Sequence, residues 1–166
     1  MAIGRTFRES LQKAFRSLEV GLDGLEPKPG EGRPLDMRKM RYATAFRLLK
    51  VWKAFEQGSS IEEMFEYTRI DPWFLRHIRD LALDVDMTAV SSQAGNPGAN
   101  GDEAAASPKT IDAATMRRLK QRGFSDRQIA RRIGCSEDEV RAHRKQLGVL
   151  AAFKQVDTCA AEFEAQ

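Results

Sequence analysis

Apolar residues recur along this chain at spacings of three and four and do not alternate with polar ones over strand lengths, so the pattern predicts an all-α fold. Phe7, Leu11, Ala14, Phe15 and Leu18 share one face of a first helix. Thr6 is placed to cap it and Glu9, three residues on, to complete a capping box, with Gly21 and Gly24 ending the element. A longer pattern over residues 36–57, carrying Met40, Ala43, Phe46, Leu48, Leu49, Trp52 and Phe55, predicts the main core helix, and Gly58 supplies the left-handed residue after it. Ser60-Ile61-Glu62-Glu63 reads as a second capping box, opening a short helix through Tyr67 with Ile61, Met64 and Phe65 inward. Asp71 then caps a helix whose first position is Pro72, where the missing amide costs nothing, and Trp73, Phe74, Ile78 and Leu81 are assigned to its buried face.

Two stretches lack periodicity. Residues 21–34, with Pro27, Pro29, Gly30 and Gly32, predict an irregular connector. Residues 88–109 are rich in Ala, Gly, Ser and Asn and offer little apolar area to offset chain ordering, which predicts a flexible linker. Beyond it, a helix over 111–122 should end at Gly123 with Phe124 folded back on it. Ser125-Asp126-Arg127-Gln128 and Ser136-Glu137-Asp138-Glu139 then cap two short helices that face Ile129, Ala130 and Ile133, then Val140 and Leu147, inward and close at Gly134 and Gly148. The expected architecture is two small helical lobes, 27–87 and 110–150, joined by the flexible linker 88–109. The second lobe is trihelical and helix-turn-helix-like, and segments 1–26 and 151–166 flank the pair.

The chain has 166 residues, 42% of them hydrophobic, enough for one domain or two small ones with a modest core. A net charge of +3 on a 31% charged chain is too small an excess for a general polyanion-binding surface, so any nucleic-acid argument is local. Residues 125–145 supply one: a capped helix, the turn Gly134-Cys135-Ser136, and a second helix with Arg141, His143, Arg144 and Lys145 outward. Arg117, Arg118, Lys120, Arg122, Arg127, Arg131 and Arg132 add to the local basicity. Against it, Glu137, Asp138 and Glu139 repel a phosphate backbone at the end of the helix where base readers sit. A DNA-binding regulator acting through 110–150 is therefore the alternative reading.

Chemistry is sparse. The glycines form no phosphate-binding loop, and His77, His143, Cys135 and Cys159 lack partners at ligand spacing, so no catalytic, cofactor-binding or metal residue is assigned. The two separated cysteines and the absence of an apolar run near twenty residues predict a soluble, cytoplasmic protein without a membrane span. Trp52, Phe55, Trp73, Phe74, Phe124 and Phe163 are the core or interface candidates, since aromatic positions at helical spacing are far more often core than stacking surface.

The strings at the two ends, Met1-Ala2-Ile3-Gly4-Arg5-Thr6-Phe7 and Val156-Asp157-Thr158-Cys159-Ala160-Ala161-Glu162-Phe163, are apolar and packable rather than polar, and both are expected to be interior to something larger. With Glu9-Ser10-Leu11-Gln12-Lys13-Ala14, Ile70-Asp71-Pro72-Trp73-Phe74-Leu75 and Gly123-Phe124-Ser125-Asp126 between them, they resemble the central oligomerisation domain of the carbamoyl-phosphate synthase large chain. The resemblance implies a non-catalytic bridge between two ATP-grasp halves of a glutamine-hydrolysing ligase. That enzyme makes carbamoyl phosphate from bicarbonate, glutamine-derived ammonia and ATP for arginine and pyrimidine biosynthesis. It also implies ATP with magnesium or manganese in the flanking halves, a small glutaminase subunit as partner, and a homo-oligomer. Residues 88–109 depart from the family pattern, which has a shorter and more helical link.

Overall fold

The computed structural model describes residues 1–27, 35–93 and 111–153, and among them the regular structure is helical. In chain order the elements are α1 (Phe7–Arg16), a 3-10 turn (Met37–Arg41), α2 (Arg47–Glu56), α3 (Ile61–Thr68), α4 (Pro72–Ala82), α5 (Val85–Gln93), α6 (Ala113–Gln121), α7 (Asp126–Ile133) and α8 (Glu137–Gln146). The all-α expectation holds for these residues, and most helix starts sit where a side-chain oxygen meets an orphan amide. Thr6, Ser60, Asp71, Asp112, Ser125 and Ser136 each accept from a first-turn N–H. Ser125–Gln128 and Ser136–Glu139 close full capping boxes.

The expected helix over 36–57 is instead broken in two. In a continuous helix the Met40 carbonyl would accept from Thr44, but the Thr44 amide bonds Tyr42 O, and Tyr42 is extended at φ −86°, ψ 130°. The Arg47 guanidinium fills the break, donating from Nε to Met40 O at 2.7 Å and from Nη2 to the Thr68 carbonyl. Met40 is thereby buried, whereas Ala43 and Phe46, assigned to the stripe, are exposed. The apolar positions of the 3-10 turn and of α2 together mimic one broad face in the sequence. The first helix likewise stops earlier, at Arg16, leaving Leu18 exposed. Glu9 reaches back to the Arg5 amide rather than closing a box on Thr6.

A third difference lies at α5. Asp84 accepts through Oδ1 from the Asp86 and Met87 amides and its carbonyl accepts from Thr88, so a helix starts at Val85 and runs to Gln93. Residues 88–93, expected as the start of the linker, are therefore helical; 94–110 lie outside the described residues. The apolar Met87, 4% exposed, anchors the turn.

Helices α2, α3 and α4 pack around Val51, Trp52, Phe55, Met64, Leu75, Ile78 and Leu81, with the 3-10 turn closing over α3. Helices α6, α7 and α8 pack around Met116, Leu119, Phe124, Ile129, Ile133 and Val140. These residues belong to a single buried cluster that also takes in Phe15, Leu22 and Leu25. Helix α1 packs on α4 while its last turns and residues 22–26 reach α7, and α5 packs on both α6 and α7.

Candidate functional site

No described residues form a group of three or more His, Cys, Asp or Glu able to hold a metal ion. The features capable of function are an electrostatic seam between the two helical groups and the apolar side chains left at the surface.

The seam is built on residues 22–26. Gln12 Oε1 accepts from the Leu25 amide at 2.7 Å, and Gln128 Nε2 lies 3.5 Å from Gln12 Oε1 and 3.4 Å from Glu26 Oε2, with both glutamines fully buried. Gly24 leaves room for this knot, because a Cβ there would overlap both glutamine amides and force them to shift. Outside this knot, Asp23 pairs with Arg127 and Arg131, and Glu26 accepts from Arg132 Nε at 2.7 Å. A second clasp sits where α5 begins: Arg122 bridges Asp84 at 2.9 Å and Asp86 at 2.7 Å, while Arg118 forks onto Asp86.

Burial, against the opposing pull of Arg132, raises the pKa of Glu26, and burial likewise raises Asp84 in spite of Arg122. Asp126 goes the other way. Burial alone would raise it, but hydrogen bonds and charge from Lys120 (2.9 Å) and Arg144 (3.1 Å) outweigh that and hold it below the usual carboxylate value. The sequence reading missed Asp23, Glu26 and Asp84. The signal available was the surplus of cations on α7, whose carboxylate partners had to come from elsewhere in the chain.

These pairs also decide what the basic region can do. Arg127, Arg131, Arg132, Arg141 and Arg144 are each engaged by a carboxylate, and Glu137 takes two of them. Of the arginines and lysines on α6, α7 and α8, Arg117 and Lys145 are the ones exposed without an ion pair among the described residues. A guanidinium already neutralised gains little by meeting a phosphate, so nothing here favours the DNA-binding alternative.

Of the aromatic candidates, Trp52, Phe55 and Phe124 are buried at 1%, 1% and 2% exposure, and Phe163 lies outside the described residues. Trp73 and Phe74, assigned to the buried face of α4, are 50% and 42% exposed. The reason is rotational: Leu75, Ile78 and Leu81 take the inward face, which turns the two rings toward α1, where Phe7 sits 5.2 Å from each. The result is an aromatic ledge. Tyr42, Phe46, Leu83, Val85, Leu150 and Phe153 are further large apolar side chains at the surface.

The two histidines and Cys135 are structural in their contacts. His143 Nε2 bonds the Ile111 carbonyl at 2.8 Å, and His77 Nδ1 accepts from Arg8 Nε at 3.1 Å. Burial raises the Cys135 thiol, so it is a poor thiolate. Among the described residues, no helix is long and apolar enough to cross a membrane.

Residues 1–148 match the family model described as "Carbamoyl-phosphate synthetase large chain, oligomerisation domain". The chain is 45% identical over 168 residues to the carbamoyl phosphate synthase large chain of Synechocystis sp., covering 99% of this chain and 14% of the relative. It is 42% identical over 167 residues to that of Pseudomonas aeruginosa, covering 98% and 14%. Against that of Haemophilus ducreyi the identity is 42% over 165 residues, covering 99% and 14%. The chain thus spans about a seventh of the length of these relatives, 14% in each case. A helical fold closed by one buried cluster, with the arginines of α7 held on internal carboxylates and a family match over residues 1–148, makes this chain a member of the oligomerisation-domain family of the carbamoyl-phosphate synthase large chain.

Proposed function

We propose that this chain acts by position rather than by chemistry, as the bridge between two ATP-grasp halves of a carbamoyl-phosphate synthase large chain and as self-association surface. The flanking halves carry the catalytic residues and bind ATP with magnesium or manganese. They make carbamoyl phosphate in the cytoplasm from bicarbonate and ammonia delivered by a small glutaminase subunit, for arginine and pyrimidine biosynthesis. The observation that carries this reading is the single buried cluster tied by the seam: a spacer transmits position between two sites only when its own parts do not move independently. Trp73 and Phe74, which stand exposed on α4, are the contact residues of the bridge between its lobes 27–87 and 110–150.

Sedimentation velocity of the chain over a concentration series tests the association. The mass average rises with concentration, and in the Trp73→Ser, Phe74→Ser double variant it stays at one chain while the circular dichroism is unchanged. A monomer at every concentration contradicts the association. The bridge itself is tested by carbamoyl phosphate synthesis in a large chain carrying the Gly24→Ala substitution. ATP turnover by each half should persist while overall synthesis falls, and equal synthesis would count against a positioning role.

A further inference from the structure

The contact between α1 and α4 contains one group able to change charge near neutral pH. Arg8 reaches across with its whole guanidinium: Nε donates to His77 Nδ1 at 3.1 Å and Nη2 donates to Asp80 Oδ2 at 2.7 Å. The His77 ring stands edge-on to Trp73 at 4.3 Å and lies 5.5 Å from Phe7, so the same imidazole that receives Arg8 also supports the exposed ledge. A ring nitrogen that accepts a hydrogen bond carries no proton, and this geometry therefore exists only with His77 neutral and its proton on Nε2.

We propose that Arg8 and His77 form a proton-sensitive latch: neutral His77 holds α1 against α4, and a proton taken up at Nδ1 breaks the Arg8 bond and reorders Phe7, Trp73 and Phe74. Two effects act together on protonation. The Nε–H of Arg8 then faces an N–H in place of a lone pair, and a second positive charge appears beside the guanidinium. The charged groups that face the imidazole are Arg8 from α1 and Asp80 from the next turn of α4, which Arg79 also contacts at 3.7 Å. From α2 and α3, α4 receives packing on its apolar face, through Leu75, Ile78 and Leu81. Burial first, and the Arg8 charge second, lower the pKa of His77 against the opposing effect of Asp80. Because the folded value is lowered, the latch contributes fully above the ordinary histidine value of about 6.5 and is lost as pH falls through the folded value. The latch stands whether or not the chain bridges two halves, since its elements all lie within the described fold.

The test uses the chain labelled with 5-fluorotryptophan, in which Trp52, buried in the core, serves as the internal control for Trp73. Fluorine spectra and the His77 Cε1–H resonance are followed from neutral to mildly acidic pH. The expected result is a Trp73 shift with the same midpoint as His77, below about 6.5, and a stationary Trp52. His77→Gln keeps an acceptor for Arg8 that does not titrate, so its Trp73 signal should be flat over the same range. Arg8→Met should move the His77 midpoint upward toward about 6.5. A Trp73 signal that ignores the His77 titration, or that still titrates in His77→Gln, overturns the proposal, as does a His77 midpoint unchanged by Arg8→Met.

Discussion

The first and second halves of this molecule reach stability by different means. Around α2, α3 and α4 the work is done by large apolar side chains, with Trp52, Phe55, Met40, Met64, Leu75, Ile78 and Leu81 all at 1% exposure or less. Around α6, α7 and α8 the apolar set is smaller, and cations outnumber it along the helices. Two full capping boxes, a buried glutamine pair and a set of carboxylate clamps complete that half. The difference teaches that a short, highly charged helix such as α7 is stable where its cations have fixed carboxylates and its ends are capped, since propensity alone does not hold eight residues helical.

The comparison breaks most sharply at Trp52. Trp52→Ala should lower unfolding free energy by about 3–5 kcal/mol, read by urea denaturation, because it empties the largest side chain of the apolar half. In the charged half, Arg144→Met removes the fork on Asp126 and the bond to the Val149 carbonyl at 2.7 Å, leaving Asp126 with Lys120 alone. The expected loss is about 2 kcal/mol at neutral pH. Because the Asp126 pKa is lowered by its partners, that contribution is present above the ordinary carboxylate value of about 3.9 and vanishes as pH falls through the folded value. The gap between wild type and Arg144→Met should therefore close in acid. Gly24→Ala forces a methyl into the two glutamine amides at an expected cost of about 1–3 kcal/mol, and thermal unfolding should show it.

Smaller effects sharpen the comparison. Ser136→Ala deletes the cap of α8 for about 1 kcal/mol, measured by thermal melts followed at the helical signal. Glu26→Gln should act in the opposite direction with pH. The raised folded pKa of Glu26 means its ionised form is penalised in the folded state, so wild type loses ground to the variant as pH rises from the ordinary glutamate value of about 4.3 through the folded one. Urea midpoints at several pH values check the sign.

Much of the fold was legible because helix ends carry local chemistry. Ser60, Asp71, Ser125 and Ser136 announce their helices within four residues, and Gly123, Gly134 and Gly148, all at positive φ, mark where chains turn away. The break at residues 42–46 was not legible, since it depends on Arg47 reaching the Thr68 carbonyl, a partner 21 residues away. The exposure of Trp73 and Phe74 was hidden for a related reason: periodicity gives a face but not the rotation of α4 against α1. Least legible of all was the seam, where Asp23 and Glu26 sit in a stretch without periodicity and meet arginines more than 100 residues on.

The central claim is that these two differently built halves behave as one body. Hydrogen exchange of the slowest amides in α2, α4 and α7, compared between wild type and Trp52→Ala, tests it most directly. One body predicts a common opening free energy in wild type, and an equal drop in all three helices when the tryptophan of the first half is removed. A drop confined to α2 and α4, with α7 unchanged, would show that the seam does not couple the halves and would contradict the account.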